Sequence, residues 1–126
     1  MERQWSRRTT GQGLSLAVVD IGRSAAVGLV YLGLDRVEGH CSIGYWLVPR
    51  ARRQGLGTET VRLASRWVLT ETSLYRLDAD VEPHNTASVA LLRKCGFTRE
   101  GVLRSYLRFD DGVFDAVLWS LLSSDL

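Results

Sequence analysis

The stretch VPRARRQGLGTET, residues 48–60, decides the fold. An apolar strand runs into it and Pro49 stops that strand. Arg50, Arg52 and Arg53 then crowd a short loop, and Gly55 and Gly57 stand at the head of a segment with helical spacing. A helix N-terminus offers free N–H groups and about half a positive charge. Glycines there let an anion reach those N–H groups with no side chain in the way. Neighbouring arginines add charge and forked donors. Two readings fit this spacing: a pyrophosphate cradle built from the backbone of residues 54–58, or a glycine-containing turn with solvated arginines.

Upstream, LSLAVVD (14–20), AAVGLVYLGL (25–34) and CSIGYWLV (41–48) read as three strands of an antiparallel meander. Residues 1–13 are polar and read as the end of a helix followed by a loop, with Trp5 as the one apolar anchor. Downstream, Val61, Ala64 and Val68 recur at spacings of three and four, with Trp67 beside them, which predicts a helix over 55–71. Glu59 and Arg62 form a favourable i,i+3 pair in it.

YRLDADVE (75–82) alternates strictly. Tyr75, Leu77, Ala79 and Val81 belong to one face and Arg76, Asp78, Asp80 and Glu82 to the other, which predicts a strand with one packed and one polar face. Asn85 is placed as the N-cap of a second helix, with Arg93 and Lys94 in its last turn and Gly96 as its stop. VLRSYLRF and VFDAVLWSLL flank Asp110, Asp111 and Gly112, a hairpin signal. The order β-β-β-α-β-α-β-β is an α+β fold with a mixed, mostly antiparallel sheet, expected as one domain over 1–126.

Bulk properties exclude several classes. A net charge of +2 does not by itself argue for nucleic acid, although fifteen of the sixteen basic residues are Arg. No Gly-Lys-Ser/Thr triplet exists for a Walker A loop. The fingerprint GxGxxG is nearly met by Gly55 and Gly57, but Thr60 holds the third glycine position and the preceding loop is long and basic. Cys41 and Cys95 are far apart and form no CxxC pair, so no metal site is expected and free thiols in a reducing cytoplasm are. The longest apolar run, 25–34, is too short to cross a bilayer, and nothing in the first residues resembles a signal peptide.

Taken together, IGYWLVPRARRQGLGTE and RLDADVEPHNTASVALLRKCGFTREGVLR resemble the GNAT superfamily of acetyl-CoA-dependent N-acetyltransferases, closest to the ribosomal-protein N-alpha-acetyltransferase (RimJ/RimL-like) branch. The matching pieces are Arg52-x-x-Gly55-x-Gly57, Asn85-x-x-Ser88, Gly96-Phe97 and the late Asp115, within residues 14–122. The resemblance implies acetyl-CoA as the acyl donor. It assigns the backbone of Leu47 and Val48, at a splayed strand end, to the pantetheine arm. It assigns Arg53, Gln54, Gly55, Gly57 and Thr58 to the pyrophosphate, Asn85 to the coenzyme arm, and Ser88 to the neighbourhood of the thioester sulfur. Asn85 as a simple cap and Ser88 as a first-turn residue are compatible with those roles.

Many relatives carry a Tyr five residues before the Phe of the Gly-Phe pair; Leu92 stands there, leaving Ser88, Tyr106 or water to protonate the leaving thiolate. The Val48 N–H is the expected oxyanion donor. Where relatives often have an acid before the Ile-Gly-Tyr-Trp segment, this chain has Ser42, so Glu38, Asp80 and Glu82 are the remaining candidates for a base. An α-amine with a pKa near 8 is about a tenth neutral at pH 7, whereas a lysine near 10.4 is neutral in fewer than about one in a thousand molecules. A base-poor site therefore favours peptide N-termini or other weakly basic amines.

Family members also begin with a strand and helices that wall the acceptor cleft, and on this alignment of motifs those elements are missing, so the chain is expected to be short at its N-terminus. The resulting alternative is an inactive acyl-CoA-binding module, or a fragment completed by a partner chain. Open sheet edges would then favour a homodimer. A nucleic-acid binder using the Arg cluster is a third reading; the expected partners are an amine acceptor, with no nucleic acid and no membrane.

Overall fold

A computed structural model describes residues 13–22 and 24–126. The helix end and the Trp5 anchor expected in the first residues lie outside the described part. Among the described residues six strands form one sheet: β1 (Gly13–Asp20), β2 (Ala25–Leu34), β3 (His40–Leu47), β4 (Arg76–Val81), β5 (Thr98–Phe109) and β6 (Gly112–Leu122), with spatial order β1-β2-β3-β4-β6-β5. The helices are α1 (Leu56–Glu71) and α2 (Thr86–Lys94), with short 3-10 turns at Pro49–Ala51 and Ser123–Asp125. The expected element order holds throughout, and the first three strands are the antiparallel meander.

The core lies between the sheet and the two helices. Ile43 of β3, Leu77, Ala79 and Val81 of β4, and Val117, Trp119 and Leu121 of β6 meet Val61, Val68 and Leu69 of α1 and Leu91 and Leu92 of α2. These strand positions are spaced by two and the helix positions by three, four and seven, so the periodicity that predicted the elements is the one that builds the core. The opposite face of β4 is less open than its polar alternation predicts. Asp80 is only 6% exposed, and Arg76 and Asp78 are half-buried and paired at 2.8 Å. The cause is position: β4 is interior, flanked by β3 and β6, so its polar side chains lie among neighbours instead of in water.

A second, smaller core sits under the basic loop. Val27, Leu47 and Ala51 are buried together, with Val18, Val48 and Leu56 packed against them. Ala51, set among three arginines, is the loop's apolar anchor, and Pro49 fixes the start of the turn that delivers it. Arg62, expected to pair with Glu59, donates to the Lys94 carbonyl at 2.9 Å and ties α1 to the end of α2.

Candidate functional site

The site forms where β3 and β4 part. These strands run parallel and are in register only over His40–Ser42 and Arg76–Asp78, whereas β4 stays paired with β6 as far as Val81. Beyond Ser42 the two strands therefore diverge. The direction of the β3 backbone follows from one bond: Val48 N–H donates to Val27 O at 2.7 Å. In an antiparallel pair, alternate residues turn their N–H and C=O groups toward the partner strand. Val48 and the even positions of β3 thus face β2, and Ile43, Tyr45 and Leu47 turn their backbone groups toward the gap on the β4 side.

This corrects the expected role of Val48. Its N–H is already used by Val27 and cannot serve an oxyanion. Tyr45 N–H is among those the strand aims into the gap. The carbonyl of Leu47 also receives Arg52 Nε at 2.9 Å.

A cleft of about 650 Å³ occupies the gap, within the range of small-ligand and cofactor sites. Leu47, Arg53, Gly55, Gly57, Thr58, Asn85 and Ser88, all singled out from the sequence, line it together. Tyr45, Trp46, Arg52, Glu82, Ala87, Ala90, Leu91, Lys94 and Phe109 complete the wall. Trp46 belongs to the opposite sheet face from Tyr45 and Leu47 by strand alternation, so the cleft reaches through the opening between the strands.

Gly55 and Gly57 serve this cleft differently. Gly55 is the N-cap of α1, in the left-handed region at φ +79, and a Cβ built there would meet nothing within 4 Å. It supplies a backbone shape and open space in front of the first N–H groups of the helix. Gly57 is buried, and a Cβ on it would come within 2.9 Å of Leu91 Cδ1. Its smallness seats α1 against α2. Arg53, also left-handed at φ +62, is exposed beside them.

Asn85 caps α2 as expected: its side-chain oxygen accepts the Ser88 N–H at 3.2 Å. Ser88 is buried at 7% exposure and its hydroxyl lies 3.3 Å from the Tyr45 hydroxyl. Burial lifts the Tyr45 phenol above its ordinary range, against the opposing effects of the Ser88 hydrogen bond and the Arg52 charge. Burial also raises the Cys95 thiol, whose Sγ donates to Thr58 O at 3.4 Å where the helices meet.

Other expected residues are placed elsewhere. Gln54 is exposed, donates to the Arg50 carbonyl at 2.9 Å and is absent from the cleft wall. Tyr106 is 54% exposed on β5 and does not line the cleft, so it is not positioned to protonate a group held there. Leu92 is buried in the main core and presents nothing to the cleft. Ser42 is buried and donates to the Gly33 carbonyl at 3.2 Å, a cross-strand tie. Of the candidate bases, Glu38 is exposed outside the cleft, Asp80 is buried in the sheet, and Glu82 alone lines the cleft, with Oε2 lying 3.3 Å from His84 Nε2. Asp115 accepts the Ser105 N–H at 2.8 Å and has a structural part in the β5–β6 pairing.

Tyr45 is the residue that sequence reasoning passed over. Its alternation with Ile43 and Leu47 was visible, but its nearness to Ser88, 43 positions away, was not.

Among the described residues no helix is long and apolar enough to cross a membrane. The family profile described as an acetyltransferase (GNAT) domain matches residues 1–98. The chain is 34% identical over 92 residues to the uncharacterized N-acetyltransferase p20 of Bacillus licheniformis, covering 73% of this chain and 52% of that one. It is 33% identical over 85 residues to the [ribosomal protein uS5]-alanine N-acetyltransferase of Escherichia coli strain K12, covering 68% and 44%. Among solved structures, Mycobacterium smegmatis RimJ in complex with CoA-disulfide superposes with a TM-score of 0.77 at 29% identity, over 82% of this chain and 51% of that one. The chain spans about half the length of the curated relatives it matches.

Proposed function

Because the chain belongs to the GNAT acetyltransferase family, we propose that it is an N-acetyltransferase that moves an acetyl group from acetyl-CoA to a primary amine. The observation that carries this reading is the meeting, in one cleft, of a parted β3–β4 pair and the glycine-led N-terminus of α1. The first feature offers strand-edge hydrogen bonds to an amide-bearing arm, and the second offers N–H groups to a phosphate.

The bound coenzyme supplies an activated acetyl thioester. The chain's own residues hold and steer it. The unpaired N–H groups that open α1, with Gly55 leaving room and Arg52 and Arg53 adding charge, take the pyrophosphate. The backbone of Leu47 takes the pantetheine arm. Tyr45 N–H, turned to the gap, is the donor for a carbonyl oxygen that gains negative charge. Ser88 lies in the cleft with a proton to give. Glu82 follows the end of β4 on the cleft wall and is the candidate to receive the acceptor amine and take its proton.

We favour peptide N-terminal α-amines as acceptors. Support comes from the cleft wall, which carries a single carboxylate among the described residues, and from the relative named for a ribosomal-protein alanine. The free cysteines fit a reducing compartment such as the cytoplasm. Calorimetry with coenzyme A, followed by thiol release from acetyl-CoA with a panel of amines, tests the reading. Binding together with faster turnover on peptide N-termini than on lysine side chains supports it. Binding without turnover on any amine leaves a coenzyme-binding module, and no binding removes the reading.

A further inference from the structure

We propose that Tyr45 is a relay residue for the leaving thiolate, acting through the Ser88 hydroxyl that it faces across the cleft. The proposal deepens the acetyltransferase reading and rests on it.

Two observations carry it. The two hydroxyls are 3.3 Å apart, joining β3 to the first turn of α2, and both residues line the cleft. Ser88 is itself aimed by its position: Asn85 caps the helix through the Ser88 N–H, which fixes that turn. Second, α2 brings no phenol or carboxyl of its own to the cleft. Leu92, one turn beyond Ser88, is 2% exposed in the core. A serine hydroxyl alone is a poor acid for a thiolate, because the alkoxide left behind must be neutralised at once. A phenol within hydrogen-bond reach does that.

The proton balance is straightforward. As the amine nitrogen bonds to the acyl carbon, the carbon–sulfur bond breaks and its electron pair goes to sulfur. Sulfur takes the Ser88 proton, and Ser88 takes the Tyr45 proton. The proton that Glu82 takes from the amine nitrogen returns through water to the phenolate. The products are an amide and a thiol, and both hydroxyls are restored.

The surroundings suit a phenol that stays protonated until it is needed. Burial holds it above its usual range; the charged or titratable groups near it are Arg52 from the loop, which opposes that shift, and Cys95 from the end of α2, which adds to it.

The test uses the full chain and the Tyr45→Phe and Ser88→Ala variants. Thermal unfolding and coenzyme A calorimetry first establish that each variant folds and binds. Tyr45→Phe is expected to lower kcat by about tenfold or more while leaving coenzyme affinity within about twofold, and to remove the alkaline limb of the kcat profile. Unchanged kcat in Tyr45→Phe, with kcat lost in Ser88→Ala, overturns the relay.

A second readout needs no turnover. The near-ultraviolet tyrosinate band of the free protein, minus that of Tyr45→Phe, isolates the Tyr45 phenol. It is expected to titrate above the ordinary tyrosine range, to rise further in Ser88→Ala, and to shift when coenzyme A binds. A phenol that titrates normally, or ignores both changes, overturns the relay even if the enzyme is active. Absence of coenzyme binding in the unaltered protein instead sinks the acetyltransferase reading, leaving the titration to decide whether the pair exists.

Discussion

Arg52 Nε donates to the carbonyl oxygen of Leu47 at 2.9 Å, closing the basic loop back onto the strand that feeds it. The bond makes Arg52 a structural part of the cleft as well as a charge on its wall. A hydrogen bond to a charged donor contributes about 1.5 to 3 kcal/mol, and partial exposure places this one near the lower end. Arg52→Ala should therefore lower stability by about 1.5 kcal/mol and weaken coenzyme A binding. Arg52→Lys should recover little of either, since an ammonium has no Nε to present at that point of the side chain. Urea midpoints for the three proteins decide it; a midpoint unmoved by Arg52→Ala would show that the bond contributes nothing.

Arg53 presents the opposite case. It is exposed and sits at φ +62, in the left-handed region that disfavours every residue with a Cβ by about 1 to 2 kcal/mol. From a strained, charged residue beside a candidate anion site we infer a role in binding. Arg53→Gly should raise stability by up to about 1 kcal/mol and lower coenzyme A affinity. Thermal unfolding and calorimetry on the same sample separate the two effects. A variant that gains stability and keeps full affinity would remove Arg53 from the site.

The parts of the fold that were legible follow from periodicities that neighbours reinforce. The spacing of Val61 and Val68, the cap at Asn85 and the turn at Gly112 were each read from a few adjacent residues, and each sits where expected. The misread features depend on register. Arg104, Ser105 and Tyr106 of β5 stand opposite the single Asp115 of β6, because Leu103 pairs with Ala116 and Leu107 with Phe114. Such a bulge re-aims side chains, and Tyr106 ends on the exposed side. The use of the Val48 N–H was hidden for the same reason, since which backbone groups face β2 is settled only by the β2–β3 pairing. Tyr45 and Ser88 are joined by folding alone, and no local pattern announces a contact across 43 residues.

Asn85 combines a cap with a place on the cleft wall, and substitution can separate them. Asn85→Ala should cost about 1 kcal/mol of stability and reduce coenzyme A affinity. Asn85→Asp keeps an oxygen that accepts the Ser88 N–H, so stability should return. It also replaces the amide's donors with a negative charge, so coenzyme affinity should remain low. Recovery of affinity together with stability would reduce Asn85 to a cap.

The polar face of the sheet makes a prediction about pH. Arg76 bonds both Asp78, at 2.8 Å, and Glu100, at 2.9 Å, and Glu100 also accepts from Ser120. The two carboxyls respond oppositely. Glu100 is held below its usual range by the Arg76 hydrogen bond, then by Ser120, so its contribution is present above about pH 4.3 and is lost as pH falls through the lowered folded value. Asp78 is raised because burial outweighs the attraction of Arg76, so its contribution is full below about pH 3.9 and fades as pH rises through the raised folded value. Glu100→Gln should therefore destabilise the protein at pH 7, and by less near pH 3. Asp78→Asn should be neutral or stabilising at pH 7. The Arg76–Glu100 pair is partly open to water, which limits the Glu100 effect to about 1 kcal/mol or less. Urea midpoints of both variants at the two pH values test this. A larger loss at pH 7 from Asp78→Asn than from Glu100→Gln would mean that Asp78, not Glu100, is the carboxylate Arg76 stabilises.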